Sequence, residues 1–163
     1  MTATDDFLTN NQSHASDFAG AGLAGPPRKK IAVVACMDAR MDIPALLGLE
    51  PGDAHVMRNA GGCVTDDMLR SLTISQRKLA TEEIMLIHHT KCGMASFEGE
   101  AFASELEAEV GTRPPFDIGT FSDADASVRA SLERVRGCPF LLHREKVRGF
   151  VYDIDTGALR EVA

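Results

Sequence analysis

Apolar residues along the chain fall into two kinds of run. Ile31-Ala32-Val33-Val34 and Ile84-Met85-Leu86-Ile87 are short and unbroken, as expected of strands covered on both faces. The second of these predicts a strand over 83–88. Further strands are expected over 54–57 and 149–154, and Asp155-Thr156-Gly157 predicts a turn into a short edge strand over 158–162. Between the strands, apolar positions recur at helical spacing. A short helix is expected over 42–47, stopped by Gly48, with a turn at Pro51-Gly52-Asp53. Thr65 reads as an N-cap, with Asp66 and Asp67 favouring the positive helix end, Met68, Leu69, Leu72 and Leu79 forming a stripe, and Arg77 and Lys78 near the far end. Phe102, Leu106 and Val110 repeat ahead of Gly111, and Ala124, Val128, Leu132 and Val135 repeat ahead of Gly137.

Strands alternating with helices predict an α/β fold, a mostly parallel four- to five-stranded sheet flanked by helices. One domain spanning 1–163 accommodates it. Residues 1–28 stand apart as an N-terminal helical arm and linker. Phe7, Leu8, Ala15 and Phe18 allow a marginal helix, followed by a Gly/Ala-rich connector closed by Pro26-Pro27. That connector contains Gly20-Ala21-Gly22-Leu23-Ala24-Gly25, a formal dinucleotide-binding match. The motif needs a strand before it and a helix after it, and neither is expected here.

Composition narrows the picture. Hydrophobic residues make up 44% of the chain, without Trp and with Tyr152 as the lone Tyr, so the core is aliphatic, filled out by Phe and Met. A net charge of −7 argues against nucleic acid or an anionic membrane as partner. No apolar run approaches a membrane span, and Asp5-Asp6 stands where an export signal would be basic. Cytoplasmic residence is therefore expected, with Cys36, Cys63, Cys92 and Cys138 as metal ligands or free thiols rather than disulfides.

The chemistry gathers at two strand ends. Cys36, Asp38 and Arg40 follow the first apolar run, and His88-His89-Thr90-Lys91-Cys92-Gly93 follows the other. If the strands are parallel, Cys36, His89 and Cys92 reach one rim of the sheet. Two sulfurs and an imidazole suit zinc, and three protein ligands leave the fourth tetrahedral position open. His88 and His89 point opposite ways in a strand, which leaves His88 to packing. Asp38 and Arg40, two apart in extended backbone, project to one side. Cys63 and Cys138 have no comparable partners.

Cys36-x-Asp38-x-Arg40 after a first strand, then His89-x-x-Cys92-Gly93 after a later one, resembles the β-class carbonic anhydrases. Arg58-Asn59-Ala60-Gly61 resembles another motif of that family, and the likeness runs strongly from 31 to 92 and loosely through 149–157. The resemblance implies one zinc ion per chain, held by Cys36, His89 and Cys92, and reversible hydration of carbon dioxide to bicarbonate by hydroxide on the metal. It implies that Asp38, fixed by Arg40, orients that hydroxide, with the hazard that Asp38 itself takes the fourth position on zinc. Two thiolates weaken the metal's Lewis acidity, so an alkaline activity profile is expected.

The small apolar substrate pocket is expected around Gly61, Gly62, Val64 and Met94. Family members often carry Asp at the position of Lys91. A cation there either favours the thiolates and hydroxide or faces solvent, and solvent is the expectation because Lys is rarely buried. The partner-supplied Gln of some members has no secure counterpart in Gln12 or Gln76. The family also implies a homodimer or dimer of dimers, with the arm crossing to its partner. Two other readings keep the same metal site: a carbonyl sulfide or carbon disulfide hydrolase, or a non-catalytic zinc-binding protein.

Overall fold

The computed structural model describes residues 2–162 of the 163-residue chain. Five strands form one sheet in the order β2-β1-β3-β4-β5. These are β1 (Ile31–Cys36), β2 (Ala54–Asn59), β3 (Glu83–His89), β4 (Val147–Tyr152) and β5 (Leu159–Val162). The first four run parallel and β5 closes the edge antiparallel to β4. β1 and β3 lie in the middle, which is why their apolar runs show no polar alternation.

The helices are α1 (Ala3–Ser16), α2 (Ile43–Leu47), α3 (Asp66–Leu79), α4 (Gly99–Val110) and α5 (Ala124–Gly137). Thr65 caps α3 by accepting from the Met68 amide, and Asp123 caps α5 by accepting from the Ala126 amide at 2.7 Å. α3 brings Met68 and Leu72, and α5 brings Val128, Leu132 and Val135, onto Ala32, Val34, Ile84, Leu86 and Val151. A Cβ at Gly149 would stand 2.3 Å from Val128 Cγ1, so the bare backbone lets α5 lie close to β4. The other face packs Val33, Ala35 and Ile87 against Met41 and Ile43, with Met85, Tyr152 and Leu159 half-buried at its margin.

Several boundaries differ from the sequence expectation. β2 continues to Asn59, because Arg58 and Asn59 still pair with Ala35 and Cys36. β4 starts at Val147, paired with Ile84, and ends at Tyr152, where the Asp153 turn begins. α4 forms as expected but buries only Ala103, leaving Phe102 and Val110 exposed. α1 has a full capping box between Thr2 and Asp5 and buries no residue. The glycine-bearing connector after it has no regular secondary structure, with α1 before it and β1 after it.

Candidate metal centre

From β1 the chain passes to β2 on one side, while β3 lies on the other. Their shared carboxyl end is thus the topological switch point, where open α/β sheets form their ligand crevice. Cys36 is the last residue of β1 and His89 the last of β3. The turn after β3 brings Cys92 back beside them. One ligand-type atom from each of the three lies within 4.8 Å of the others, and all three residues are buried. The Cys36 and Cys92 sulfurs are 3.9 Å apart. Metal–sulfur bonds of about 2.3 Å at a tetrahedral ion would separate them by about 3.8 Å.

The imidazole is oriented for the same point. His89 Nδ1 lies 2.8 Å from the Thr90 carbonyl oxygen, which can only accept, so Nδ1 carries the proton. Nε2 is then left as a bare acceptor, buried and without a protein partner. A buried lone pair with nothing to meet it is costly unless a cation or proton fills the gap. Burial works against a charged Cys36, but His89 and the amides of Asp38 and Gly61 outweigh it and favour its thiolate. Burial pushes the Cys92 thiol up, and the neighbouring Cys36 adds to that against the Met94 amide. Without a cation, the pair resists carrying two negative charges.

Asp38 and Arg40 flank this cluster. Arg40 Nε donates to Asp38 Oδ1 at 2.9 Å and Arg40 Nη2 donates to Oδ2 at 2.7 Å, a two-pronged grip. The Arg40 side chain, aided by its own amide, holds the Asp38 carboxyl well below the usual carboxylate range, despite burial. Oδ2 also lies 3.6 Å from His89 Nε2, so the carboxylate borders the space the ligand atoms enclose. Beneath it, Arg58 Nε donates to the Cys36 carbonyl at 2.8 Å and Nη2 to the Asp38 carbonyl at 2.7 Å. Sequence reasoning gave Arg58 no role beyond its motif; the signal available was its place directly after the strand expected over 54–57.

Gly62 crosses directly over the ends of the two central strands. Its φ is +69°, and a Cβ there would lie 2.8 Å from the Cys36 nitrogen and 3.1 Å from the Ile87 oxygen. Only glycine fits both constraints. Gly61 faces Cys63 Sγ, Met94 and Phe121. Met94 and Phe121 pack on the cluster that contains Cys36 and Cys92. Phe121, from the long loop between α4 and α5, was not foreseen, since that loop has no apolar period to read. Val64 lies elsewhere, buried with Met68 and Leu72 in the core beneath α3.

The remaining candidates disperse. His88 is fully buried with its ring 5.8 Å from Phe121, and burial brings its pKa down to about 4. Cys63 Sγ lies 3.9 Å from Ser127 Oγ, and Cys138 sits in the core. Lys91 reaches outward to Asp155 at 2.6 Å. Gln12 is exposed on α1, and the Gln76 oxygen accepts from the Leu142 and His143 amides.

A family model described as Carbonic anhydrase matches residues 31–114. Beta-carbonic anhydrase 1 of Mycobacterium tuberculosis H37Rv is 51% identical over 162 residues, 99% of both chains. A crystal structure of carbonic anhydrase from Streptococcus mutans aligns with a TM-score of 0.92 at 38% identity, covering 100% of this chain and 99% of that one. A carbon disulfide hydrolase of Acidithiobacillus thiooxidans is 31% identical over 156 residues, covering 83% of this chain and 78% of that protein.

Proposed function

The chain belongs to the β-class carbonic anhydrases, enzymes of carbon dioxide hydration, and from that membership we propose that it works with one zinc ion held by Cys36, His89 and Cys92. The observation that carries this reading is the convergence of two buried sulfurs and the unpartnered His89 Nε2 on one space bordered by a carboxylate. The donor set fits zinc: two soft anions and one neutral imidazole for a tetrahedral ion, with one position open to a small ligand. Zinc bound there would supply Lewis acidity, which makes a bound water far more acidic than bulk water.

The protein's own groups supply placement and charge. His89 keeps its proton on Nδ1 through the Thr90 carbonyl, which leaves Nε2 free as a ligand. Asp38 stays ionised over the working pH range and offers Oδ2 as an acceptor beside the cluster. An accepting carboxylate orients a water or hydroxide so that a lone pair faces the carbon of the substrate. Arg40 holds that carboxylate so that its oxygens do not serve as the fourth ligand. Gly61, Gly62 and Met94, joined by Phe121, form the small apolar wall for carbon dioxide. The proton released in hydration leaves to solvent.

Hydrolysis of carbon disulfide is a second reading, favoured by the named activity of the Acidithiobacillus relative. The relative at 51% identity over nearly the whole chain weighs toward carbon dioxide. Stopped-flow hydration of carbon dioxide by the zinc-loaded protein, with carbon disulfide hydrolysis followed in parallel, tests both. Hydration well above the buffer rate and no sulfide release is the expected outcome. Sulfide release without hydration would replace the first reading with the second.

For assembly, we read a homodimer or dimer of dimers. α1 buries nothing of its own, and the apolar side of α4 is open at Phe102 and Val110. A second copy would cover both.

A further inference from the structure

We propose that Lys91 and Asp155 are positioning residues for the Asp38–Arg40 pair, acting through the Lys91 main-chain carbonyl. This rests on the reading that Asp38 and Arg40 serve the reaction. Arg40 spends Nε and one N–H of Nη2 on Asp38, and Nη2 also donates to the Lys91 carbonyl at 3.1 Å. The guanidinium is thus held from both ligand-bearing segments: by Asp38 after β1 and by Lys91 after β3. Without the second hold, Asp38 and Arg40 belong to one short loop and can swing together. Arg58 fixes the main chain of that loop at Cys36 and Asp38, but not the side chains.

The carbonyl is aimed by an unusual backbone. Lys91 has φ +53°, in the left-handed region that a long side chain seldom adopts. Such a conformation persists where its surroundings hold it. Here the surroundings are the β4–β5 turn. The Thr90 amide donates to the Tyr152 carbonyl at 2.9 Å, and Thr90 Oγ1 accepts from the Ile154 amide at 3.1 Å. One residue on, Lys91 Nζ meets Asp155 Oδ2 at 2.6 Å. Asp155 is itself seated, because its amide donates to Asp153 Oδ1 at 2.9 Å. The turn therefore grips Thr90 and Lys91 in succession, and the Lys91–Asp155 contact is the last hold before the carbonyl that Arg40 uses. Both charged ends are more than half exposed, so the effect is bounded by what a solvated ion pair can hold.

The test uses the zinc-loaded full chain with Asp155→Asn, Lys91→Met and their double, and the charge swap Lys91→Asp/Asp155→Lys as rescue. Lys146→Met, which removes a surface pair at the other end of the sheet, is the control. Two quantities are read: kcat against KM for hydration, and solvent exchange of the Arg40 Nε–H by nitrogen-edited NMR, which needs no turnover. Each single variant should lower kcat by about threefold with KM unchanged, and speed Arg40 exchange by a similar factor. The double should be no worse than either single, the swap should recover most of both, and the control should move neither. Wild-type Arg40 exchange in Asp155→Asn and Lys91→Met overturns the proposal, whatever kcat does. Faster exchange in an enzyme with no hydration activity would instead uphold the positioning and overturn the functional reading.

Discussion

Both ends of the sheet hold carboxylates gripped by cations, yet the two ends do different work. At the amino end, Asp53 takes Arg28 Nε and Nη2 at 3.0 and 2.8 Å, and Glu82 sits between Lys30 at 3.0 Å and Lys146 at 3.1 Å. At the carboxyl end, Asp38 takes Arg40 at similar distances. The difference lies in the company each keeps. The amino-end carboxylates are matched by cations and amides. Among the described residues, Asn59 Oδ1, both nitrogens of His88 and Nε2 of His89 are buried without protein partners at the carboxyl end, against Gln76 Nε2 alone elsewhere. Matched ion pairs tie the chain down, whereas an unmatched donor set marks where something else must bind.

The largest break in this contrast is Cys36→Ser. It should lose zinc and all hydration activity, because a serine hydroxyl does not ionise to replace a thiolate donor. Cys63→Ser and Cys138→Ser should keep both, since neither sulfur belongs to the three-residue ligand set. Metal content by atomic absorption beside activity decides it. Full occupancy in Cys36→Ser would remove Cys36 from the ligand set. Next in size, Asp38→Asn should lower kcat about a hundredfold, on the scale of losing one aligned acceptor or donor in a preorganised site. Arg40→Ala should match it with zinc retained, because the carboxylate is then free to approach the metal. A wild-type rate in either variant would reduce the pair to an ordinary ion pair.

How much of this was legible in the sequence depends on what covers each element. β1 and β3 were readable because a strand buried on both faces must be apolar throughout, and Cys36 and His89 then fall at their ends by count alone. α5 and α4 were read from equally regular stripes. α5 buries its stripe on β3 and β4, while α4 leaves Phe102 and Val110 open. Periodicity reports that a helix has an apolar side and is silent on what meets it. Phe121 and the Lys91–Arg40 contact were out of reach for another reason: both depend on loop conformations, one at a positive φ, that no spacing rule encodes. Val64 ends the loop expected to line the pocket, yet the chain turns into the α3 cap at Thr65 and its side chain packs in the core with Met68 and Leu72.

The arm leaves from the amino end, where Arg28 and Lys29 hold its root through hydrogen bonds to the Gly52 and Asp53 carbonyls. Deleting residues 1–18 should therefore spare the sheet and the metal while weakening the assembly. Light scattering at micromolar concentration should show the full chain as a dimer or larger and the truncated chain shifted toward monomer. A fully active monomer of the intact chain would leave the open faces of α1 and α4 without the partner assigned to them.

The smallest expected effect is at Glu82, and it separates the two ends through pH. Hydrogen bonds from Lys30 and then Lys146 bring its pKa down to about 2, below its ordinary 4.5. A carboxylate whose folded pKa is depressed binds fewer protons folded than unfolded, so its contribution to stability is complete above about 4.5 and is lost as pH falls toward 2. Glu82→Gln should therefore lower the melting temperature slightly near pH 7, and the gap to wild type should close on acidification. Added salt should narrow it too, because both lysines are exposed and screened. The activity of the folded variant should be unchanged, since nothing at that end touches the cluster at the carboxyl end. A drop in kcat without a change in melting temperature would show that the two ends are coupled after all.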